Sequence, residues 1–212
     1  MFFTTKLNRL VGLIKVDDNL KGNKKKQILD AALRIFVKKG YSDTRMDDIV
    51  EMSGMSKGAI YHHYKSKREL FLDLIDFWEE FYFPNILDKK YKNKTASGKL
   101  REIVKDVVLT FKEKKYVFLA ELEIWSLANH DEAVRSRTKK LYTNLITLFS
   151  EIIKDGMEQN EFKKLNINIA ALSIMTSLQG VIWFSIFEKS DLSAEEYLTE
   201  VMEFIINGFK KQ

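Results

Sequence analysis

The sequence has no cysteine, a single proline and only nine glycines among its 212 residues. Without cysteine there is neither a disulfide framework nor a thiolate for zinc binding or nucleophilic chemistry, which suits the reducing cytosol. One proline and nine glycines are too few for the turns of a β-rich chain of this length. The composition therefore predicts an all-α protein, and the 45% of hydrophobic residues is ample for a packed core.

Long apolar segments are also scarce. Residues 10–14 form an apolar run far shorter than the core of a signal peptide, and no small-residue cleavage site follows it. Residues 170–187 are mostly apolar, but they include five serine, threonine and glutamine residues and fall just short of a comfortable bilayer crossing. We therefore expect a buried helix of a cytoplasmic protein here, and no membrane partner.

Apolar residues at helical spacing, with capping residues before them, predict helices throughout the chain. Nine helices are expected, at residues 23–39, 44–53, 56–64, 66–83, 98–115, 116–129, 131–159, 166–188 and 193–210. Capping boxes are expected to pair Thr44 with Asp47, Ser66 with Glu69, and Ser193 with Glu196. The predicted architecture is an N-terminal helix-turn-helix head of three helices followed by a C-terminal bundle of six.

Positive charge is concentrated in the predicted head. Residues 21–68 contain twelve Lys or Arg against five Asp or Glu, whereas residues 77–212 contain twenty of each. A local basic excess fits a polyanionic partner, although ordinary surface lysines are the alternative explanation. Two short helices joined at Gly54 predict a helix-turn-helix, whose second helix would enter the DNA major groove. Gly58 and Ala59 are small, which would allow that helix to approach the bases closely.

Two adjacent histidines, His62 and His63, lie on this second helix. They point about 100° apart, and no acidic or histidine partner nearby completes a metal site. No nucleophile elbow or phosphate loop accompanies them, so we expect no catalytic residue, no metal and no cofactor. We expect both histidines to hydrogen-bond phosphates and bases. For His63, packing against the first helix is the alternative.

Residues 27–75 closely resemble the DNA-binding region of the TetR family of bacterial transcriptional regulators. The matching motifs are A-x-x-x-F-x-x-x-G-Y at 32–41, T-x-x-D-I at 44–49 lengthened by one residue, G-x-S-K-G-x-Y-x-Y at 54–64 with one additional residue, and K-x-x-L at 67–70. The resemblance implies a homodimer that inserts its third helices into successive major grooves of an inverted-repeat operator.

The resemblance also implies which residues meet the DNA. Phosphate contacts are expected from Thr44, Arg45 and Lys67. The expected reading surface, with the cap of its helix, consists of Ser56, Lys57, Gly58, Ala59, Tyr61, His62 and His63.

Three regions are expected along the chain: an extension at 1–22, a DNA-binding domain at 23–68, and an effector-binding and dimerisation domain at 69–212. The extension fits a flexible basic arm, an added helix or an artefact of start-codon choice. The last two helices are apolar around most of their circumference, so a second subunit is expected to cover them. The expected interface contains Met175, Leu178, Ile182, Phe187, Leu198, Val201, Met202 and Ile205.

Aromatic residues are frequent between the head and these last helices, in the region that holds a small hydrophobic effector in TetR-like proteins. The candidate pocket residues are Phe77, Trp78, Phe81, Phe111, Phe118, Glu121, Trp125 and Trp183. An inward-facing Glu121 or Glu123 would favour a cationic effector, and a solvated helix face is the alternative. The expected function is that of a repressor released by its effector. An activator, a ligand-independent regulator, and a helical carrier or enzyme remain alternatives.

Overall fold

The protein forms ten helical segments in a computed structural model that describes residues 23–82, 94–186 and 192–211. The segments are α1 (Lys24–Lys39), α2 (Met46–Ser53), α3 (Lys57–His63), α4 (Lys67–Tyr82), α5 (Ala96–Glu113), α6 (Lys115–Ala128), α7 (Glu132–Glu158), α8 (Ile167–Gln179), α9 (Val181–Ile186) and α10 (Ala194–Phe209). These described ranges contain no β-strand, so the predicted all-α class is confirmed. The expected extension at residues 1–22 lies outside them.

Local capping signals begin several helices where they were predicted. The Asn23 side chain accepts a hydrogen bond from Lys26 N at 3.1 Å and starts α1. At the start of α10, Ser193 and Glu196 form the expected reciprocal pair, with N···O distances of 2.8 and 3.1 Å. Each bond satisfies a backbone N–H that the first helical turn leaves without a partner.

The predicted capping box at Thr44 and Asp47 is wrong by one residue. Helix α2 begins after Arg45, whose backbone N–H donates to Asp48 Oδ2 at 2.7 Å. The Thr44 side chain is buried instead, and its hydroxyl donates to the Gly40 carbonyl at 2.7 Å.

The predicted helix over residues 166–188 is divided into α8 and α9 at Gly180. The Tyr197 ring of α10 packs against this glycine so closely that a Cβ there would lie 3.0 Å from Tyr197 Cε1. The close approach explains why a residue without a side chain occupies this position.

The chain divides into two compact units. The described part of the first unit comprises residues 23–77 and 119–138, and that of the second comprises 78–82, 94–118, 139–186 and 192–211. The unit that contains the helix-turn-helix thus extends beyond the expected segment 23–68, because it includes residues of α6 and the start of α7.

The core of the first unit is assembled around α1. Its fully buried residues come from α1, α2, α3 and α4, and they include Ile28, Leu29, Leu33, Phe36, Ile49, Ile60, Leu70, Phe71 and Leu74. The rings of Phe36, Tyr41 and Phe71 form a cluster with centroids 4.8 to 5.5 Å apart. This packing leaves the opposite face of α3 to solvent.

The second unit is held by apolar packing and by ion pairs between its helices. Its interior includes Leu100, Ile103, Ile153, Ala171, Ile174, Leu198 and Ile206. Arg101 of α5 binds Glu203 of α10 through two nitrogens, at 2.5 and 2.9 Å. Lys99 binds Asp155 of α7 at 2.7 Å. These pairs fix α5 against both α7 and α10.

One prediction concerns Gly156 near the end of α7. A Cβ at this position would lie 2.6 Å from Phe162 Cε2 and 2.9 Å from Ala96 Cβ. We expect Gly156→Ala to lower the free energy of unfolding by about 1–3 kcal/mol through overpacking, as measured by urea denaturation. Gly208→Ala in α10 is the matched control, because no described atom lies within 4 Å of its Cβ position. It should raise stability by about 0.5–1 kcal/mol, and equal losses in both variants would contradict the packing argument.

Candidate nucleic-acid interface

The turn between α2 and α3 has a defined geometry. Gly54 adopts the left-handed conformation at φ 65° and ψ 15°, which favours glycine. The Ser53 hydroxyl accepts from Met55 N at 3.2 Å, and the Ser53 carbonyl accepts from Gln27 Nε2 of α1 at 2.8 Å. Local conformation and a tie to α1 together set the direction in which α3 leaves the turn.

Helix α3 presents an exposed polar face. Ser56 caps the helix by accepting from Ala59 N at 3.2 Å, while Ile60 is buried beneath. Of the predicted reading surface, Lys57, Gly58, His62 and His63 are exposed, and Ala59 and Tyr61 are half-buried. No described atom lies within 4 Å of the Gly58 Cβ position, so nothing there would prevent a close approach by a ligand.

His62 and His63 are stacked edge to face, with their ring centroids 5.5 Å apart. His63 is not buried against α1; instead it lines an open cleft of about 390 Å³ together with Lys25, Tyr64, Glu69, Leu72, Asp73 and Arg137. The described residues contain no group of three or more His, Asp or Glu side chains with metal-binding geometry.

Lys67, for which a phosphate contact is expected, binds the protein's own backbone in the structure. Its ammonium donates to three backbone carbonyls of the loop before α2: Tyr41 at 2.6 Å, Ser42 at 3.1 Å and Thr44 at 2.7 Å. All three donors of an ammonium group are thereby occupied. Its Nζ also lies 4.4 Å from the centroid of the Tyr41 ring, and burial lowers the pKa of Lys67. Lys67 therefore holds the loop, and a phosphate would bind it only by replacing one of these carbonyls.

Thr44 is also unsuited to the phosphate contact expected of it. A phosphate oxygen needs a donor, and the only donor of this buried side chain already binds the Gly40 carbonyl. Arg45 is the exposed cationic residue at the start of α2, and it keeps its expected role as a prediction.

An ion pair that the sequence analysis missed lies beside the reading surface. The Lys57 ammonium is 2.6 Å from Asp47 Oδ1 and 5.8 Å from the centroid of the Tyr61 ring. The hydrogen bond to Asp47 raises the pKa of Lys57. The two partners are ten positions apart in the sequence and lie on different helices, so no helical spacing predicted this pair.

Three polar links within the first unit join α6, α7 and the residue before α7 to the loop before α2 and to α4. Glu123 accepts from Tyr41 N at 2.9 Å, and Arg68 binds Asp131 through two nitrogens, each at 3.0 Å. Arg137 binds Asp76 of α4 and donates to the Leu72 carbonyl at 3.3 Å. The hydrogen bond from Arg68 is the main reason that the pKa of Asp131 is lowered.

One of these links gives Glu123 a partner that neither of its expected environments included. Its half-buried carboxylate accepts from the backbone of the loop before α2. Glu121 is half-buried.

The effector-pocket candidates do not share one environment. Trp78 and Phe118 are buried, and Phe111 packs against Phe118 with ring centroids 5.7 Å apart. Phe77 belongs to the first unit, where its ring centroid lies 5.5 Å from Lys26 Nζ. The Phe81 side chain lies outside the described residues.

Two further pocket candidates are exposed. Trp125 is 39% exposed and Trp183 is 66% exposed. Two-thirds of the Trp183 side chain is thus open to solvent in the single chain, and its pocket role stays a prediction.

The residues expected at the subunit interface also differ in their exposure. Ile182, Leu198 and Met202 are buried within the single chain, which leaves little of their surface for the interface at which they are expected. Met175, Leu178, Val201 and Ile205 are half-buried, and Phe187 lies outside the described residues. The most exposed large apolar side chains of α8, α9 and α10 are instead Ile169, Leu172, Trp183 and Phe204. Because these helices are apolar almost all round, periodicity could not distinguish the inward face from the outward one.

Known proteins resemble the chain in both of its parts. Residues 28–74 match the family model described as bacterial regulatory proteins of the tetR family. Residues 96–207 match the C-terminal model of BetI-type transcriptional repressors.

Individual relatives share the same pattern over most of their lengths. The transcriptional regulator QacR of Staphylococcus aureus is 24% identical, over 89% of this chain and all of that protein. The nucleoid occlusion factor SlmA of Colwellia psychrerythraea is 31% identical, over 73% of this chain and 77% of that protein. A transcriptional regulator from Saccharomonospora viridis, solved in complex with choline, superposes with a TM-score of 0.77 at 19% identity, covering 89% of this chain and 98% of its own.

A second prediction follows from the geometry of Lys67. We expect Lys67→Met to destabilise the protein by about 2 kcal/mol, because it removes a charged donor from three carbonyls. Urea denaturation in the absence of DNA would measure this loss. Lys65→Met is the control, since the exposed Lys65 ammonium donates to one carbonyl, that of Tyr61, at 3.1 Å. If Lys67→Met left stability unchanged and only weakened DNA binding, the original phosphate role would be correct.

Proposed function

The chain belongs to the TetR family of bacterial transcriptional regulators, and from this premise we propose that it is a homodimeric repressor that a small effector releases from an inverted-repeat operator. The matched family models describe transcriptional regulators and not enzymes, so the chain is a DNA-binding regulator with a ligand-binding C-terminal domain. Repression, the palindromic operator and release by an effector are the proposed steps. We also propose that it works in the cytoplasm, as soluble TetR-family regulators do.

The exposed face of α3 is the observation that carries the DNA-binding part of the proposal. A short helix with a fixed turn before it and a side-chain cap at its start can enter the major groove as a rigid unit. Lys57, Tyr61 and His62 then offer donors to base edges, and Gly58 allows close approach. Arg45 stands at the start of α2, where it supplies a phosphate contact.

Exposed apolar surface on the last helices supports the proposed dimer. The window Ile167–Phe184 has a mean hydropathy of 1.5, yet only 33% of it is buried within the single chain. Phe204 of α10 is 72% exposed. By length and composition the window could cross a membrane, but it falls within the part that matches BetI-type repressors. A second copy of these helices would cover the apolar surface in a four-helix interface.

The effector is proposed to be a small hydrophobic or cationic molecule bound in the C-terminal domain. Aromatic residues such as Trp78, Phe111 and Phe118 supply apolar surface, and aromatic faces also attract cations. The structural neighbour from Saccharomonospora viridis was solved with choline, a quaternary ammonium cation, which supports the cationic class.

Release requires that the effector favour a conformation unable to bind DNA. The links from Glu123, Asp131 and Arg137 provide a route, because a shift of α6 or α7 would pull on the loop before α2 and on α4. A hundredfold loss of DNA affinity needs about 2.7 kcal/mol of coupling. Equal effector affinity for free and operator-bound protein would contradict this mechanism. It would leave activation or ligand-independent regulation as the alternative.

The operator prediction is tested by selecting bound duplexes from a random DNA pool. We expect the wild type to enrich an inverted repeat. His62→Ala should change the preferred half-site, because base contacts carry sequence information. Arg45→Ala should weaken binding to all sequences alike and reduce the salt slope by about one, as expected for a phosphate contact. The proposed roles are wrong if the two variants behave alike, and the proposed function fails if no repeat is enriched.

The dimer prediction concerns Phe204. We expect Phe204→Asp to convert the protein into monomers and to weaken operator binding, because a carboxylate would be buried without a partner. Analytical ultracentrifugation measures the mass. Leu109→Asp is the control, since Leu109 is an equally hydrophobic exposed residue of the same unit but lies on α5. Two variants with the same mass as the wild type would place the interface elsewhere.

A further inference from the structure

The pairing of Asp47 with Lys57 connects the first turn of α2 to the first residue of α3. The carboxylate and the ammonium are 2.6 Å apart, although their side chains remain 68% and 61% exposed. An acidic side chain is therefore held on the surface that is proposed to approach a polyanion. Lys57, moreover, is the lysine that begins the reading helix.

This ion pair contributes little to the stability of the fold. Exposed ion pairs contribute little to stability because water screens them. The start of α2 already has its carboxylate in Asp48, which accepts from Arg45 N at 2.7 Å and binds Lys39 at 2.5 Å. The turn is held by Gly54 and by the bond from Gln27 to Ser53. Asp47 is thus available for a role in binding.

We propose that Asp47 is a specificity-determining residue, which holds the Lys57 ammonium away from DNA phosphates and so weakens nonspecific binding relative to operator binding. This inference rests on the proposed function, since it requires that α3 read DNA. Asp47 takes one of the three donors of the Lys57 ammonium and places a negative charge beside the other two, so a phosphate on an arbitrary duplex binds Lys57 only against repulsion from this carboxylate at close range.

Contact of this ion pair with an operator base edge differs from contact with a phosphate. In the major groove, guanine presents two acceptors that a lysine can approach, and the neighbouring cytosine presents an amino donor that a carboxylate can accept. A paired lysine and aspartate can therefore meet a base edge together without losing their mutual contact. Asp47 then opposes phosphate contacts more strongly than base contacts, and the ratio of operator to nonspecific affinity increases.

The size of the effect follows from counterion release. Freeing one lysine to neutralise one more phosphate steepens the dependence of log K on log salt by about 0.9. At about 0.1 M salt this corresponds to a gain of roughly five- to tenfold in nonspecific affinity. Operator affinity should change less than this.

The test uses the full chain and two fluorescent duplexes of equal length, one of random sequence and one carrying the repeat selected by the wild type. Binding is followed by anisotropy across a salt series. Asp47→Asn should bind the random duplex about five- to tenfold more tightly with a steeper salt slope, and its discrimination should fall. Glu51→Gln is the matched control, because Glu51 is exposed and lies one turn further along α2. It removes the same charge, and it should alter neither quantity by more than about twofold.

A double-mutant cycle shows whether Asp47 acts through Lys57. In the Lys57→Gln background, Asp47→Asn should have little further effect on nonspecific binding. An equal gain in both backgrounds would show direct repulsion of the DNA and overturn the inference. So would an unchanged ratio of operator to nonspecific affinity. If the wild type selects no repeat, the proposed function fails; if it selects one and Asp47→Asn behaves as the wild type, only this inference fails.

Discussion

The helix-turn-helix depends on how the loop between α1 and α2 is held, and the Lys67 ammonium is the main constraint on that loop. Three carbonyls within residues 41–44 converge on one nitrogen at 2.6 to 3.1 Å. A loop that turns sharply between two helices leaves carbonyls without helical partners, and a charged donor satisfies them with stronger bonds than a neutral donor would. Because Lys67 is the first residue of α4, this one group joins the start of α4 to the start of α2.

Tyr41 connects the loop that Lys67 holds to the rest of the first unit. Its carbonyl accepts from Lys67, its N–H donates to Glu123 of α6, and its ring packs between Phe36 and Phe71. Burial raises the pKa of the Tyr41 hydroxyl. One residue thus contacts α1, α4 and α6 together. Since α6 bonds directly to the loop that starts α2, a movement of α6 and the position of the reading helix are physically linked, as the proposed release mechanism requires.

Sequence patterns succeeded where the responsible interactions are local. The caps at Ser56 and Ser193 act over three residues, and each begins a helix as predicted. The capping pattern failed at Thr44, whose position in the sequence predicts a helix cap but whose side chain is buried in the structure. For Lys67, a positive charge beside a DNA-binding motif predicted a phosphate contact. The fold brings it three carbonyls from a loop more than twenty residues away in the chain, with Thr44 O at a separation of 23.

The sequence by itself determined the helical class, most helix boundaries, the helix-turn-helix and the family, because these follow from periodicity, capping and short motifs. Only the tertiary structure decided which charged groups already have a partner within the protein and which apolar helix faces remain exposed to solvent. Glu123 meets its partner across 82 residues, and Asp47 meets Lys57 across two helices. Phe204 and Met202 are equally apolar in the sequence, yet one is exposed and the other buried. Partners of this kind are set by how helices pack, and no spacing along a single helix encodes them.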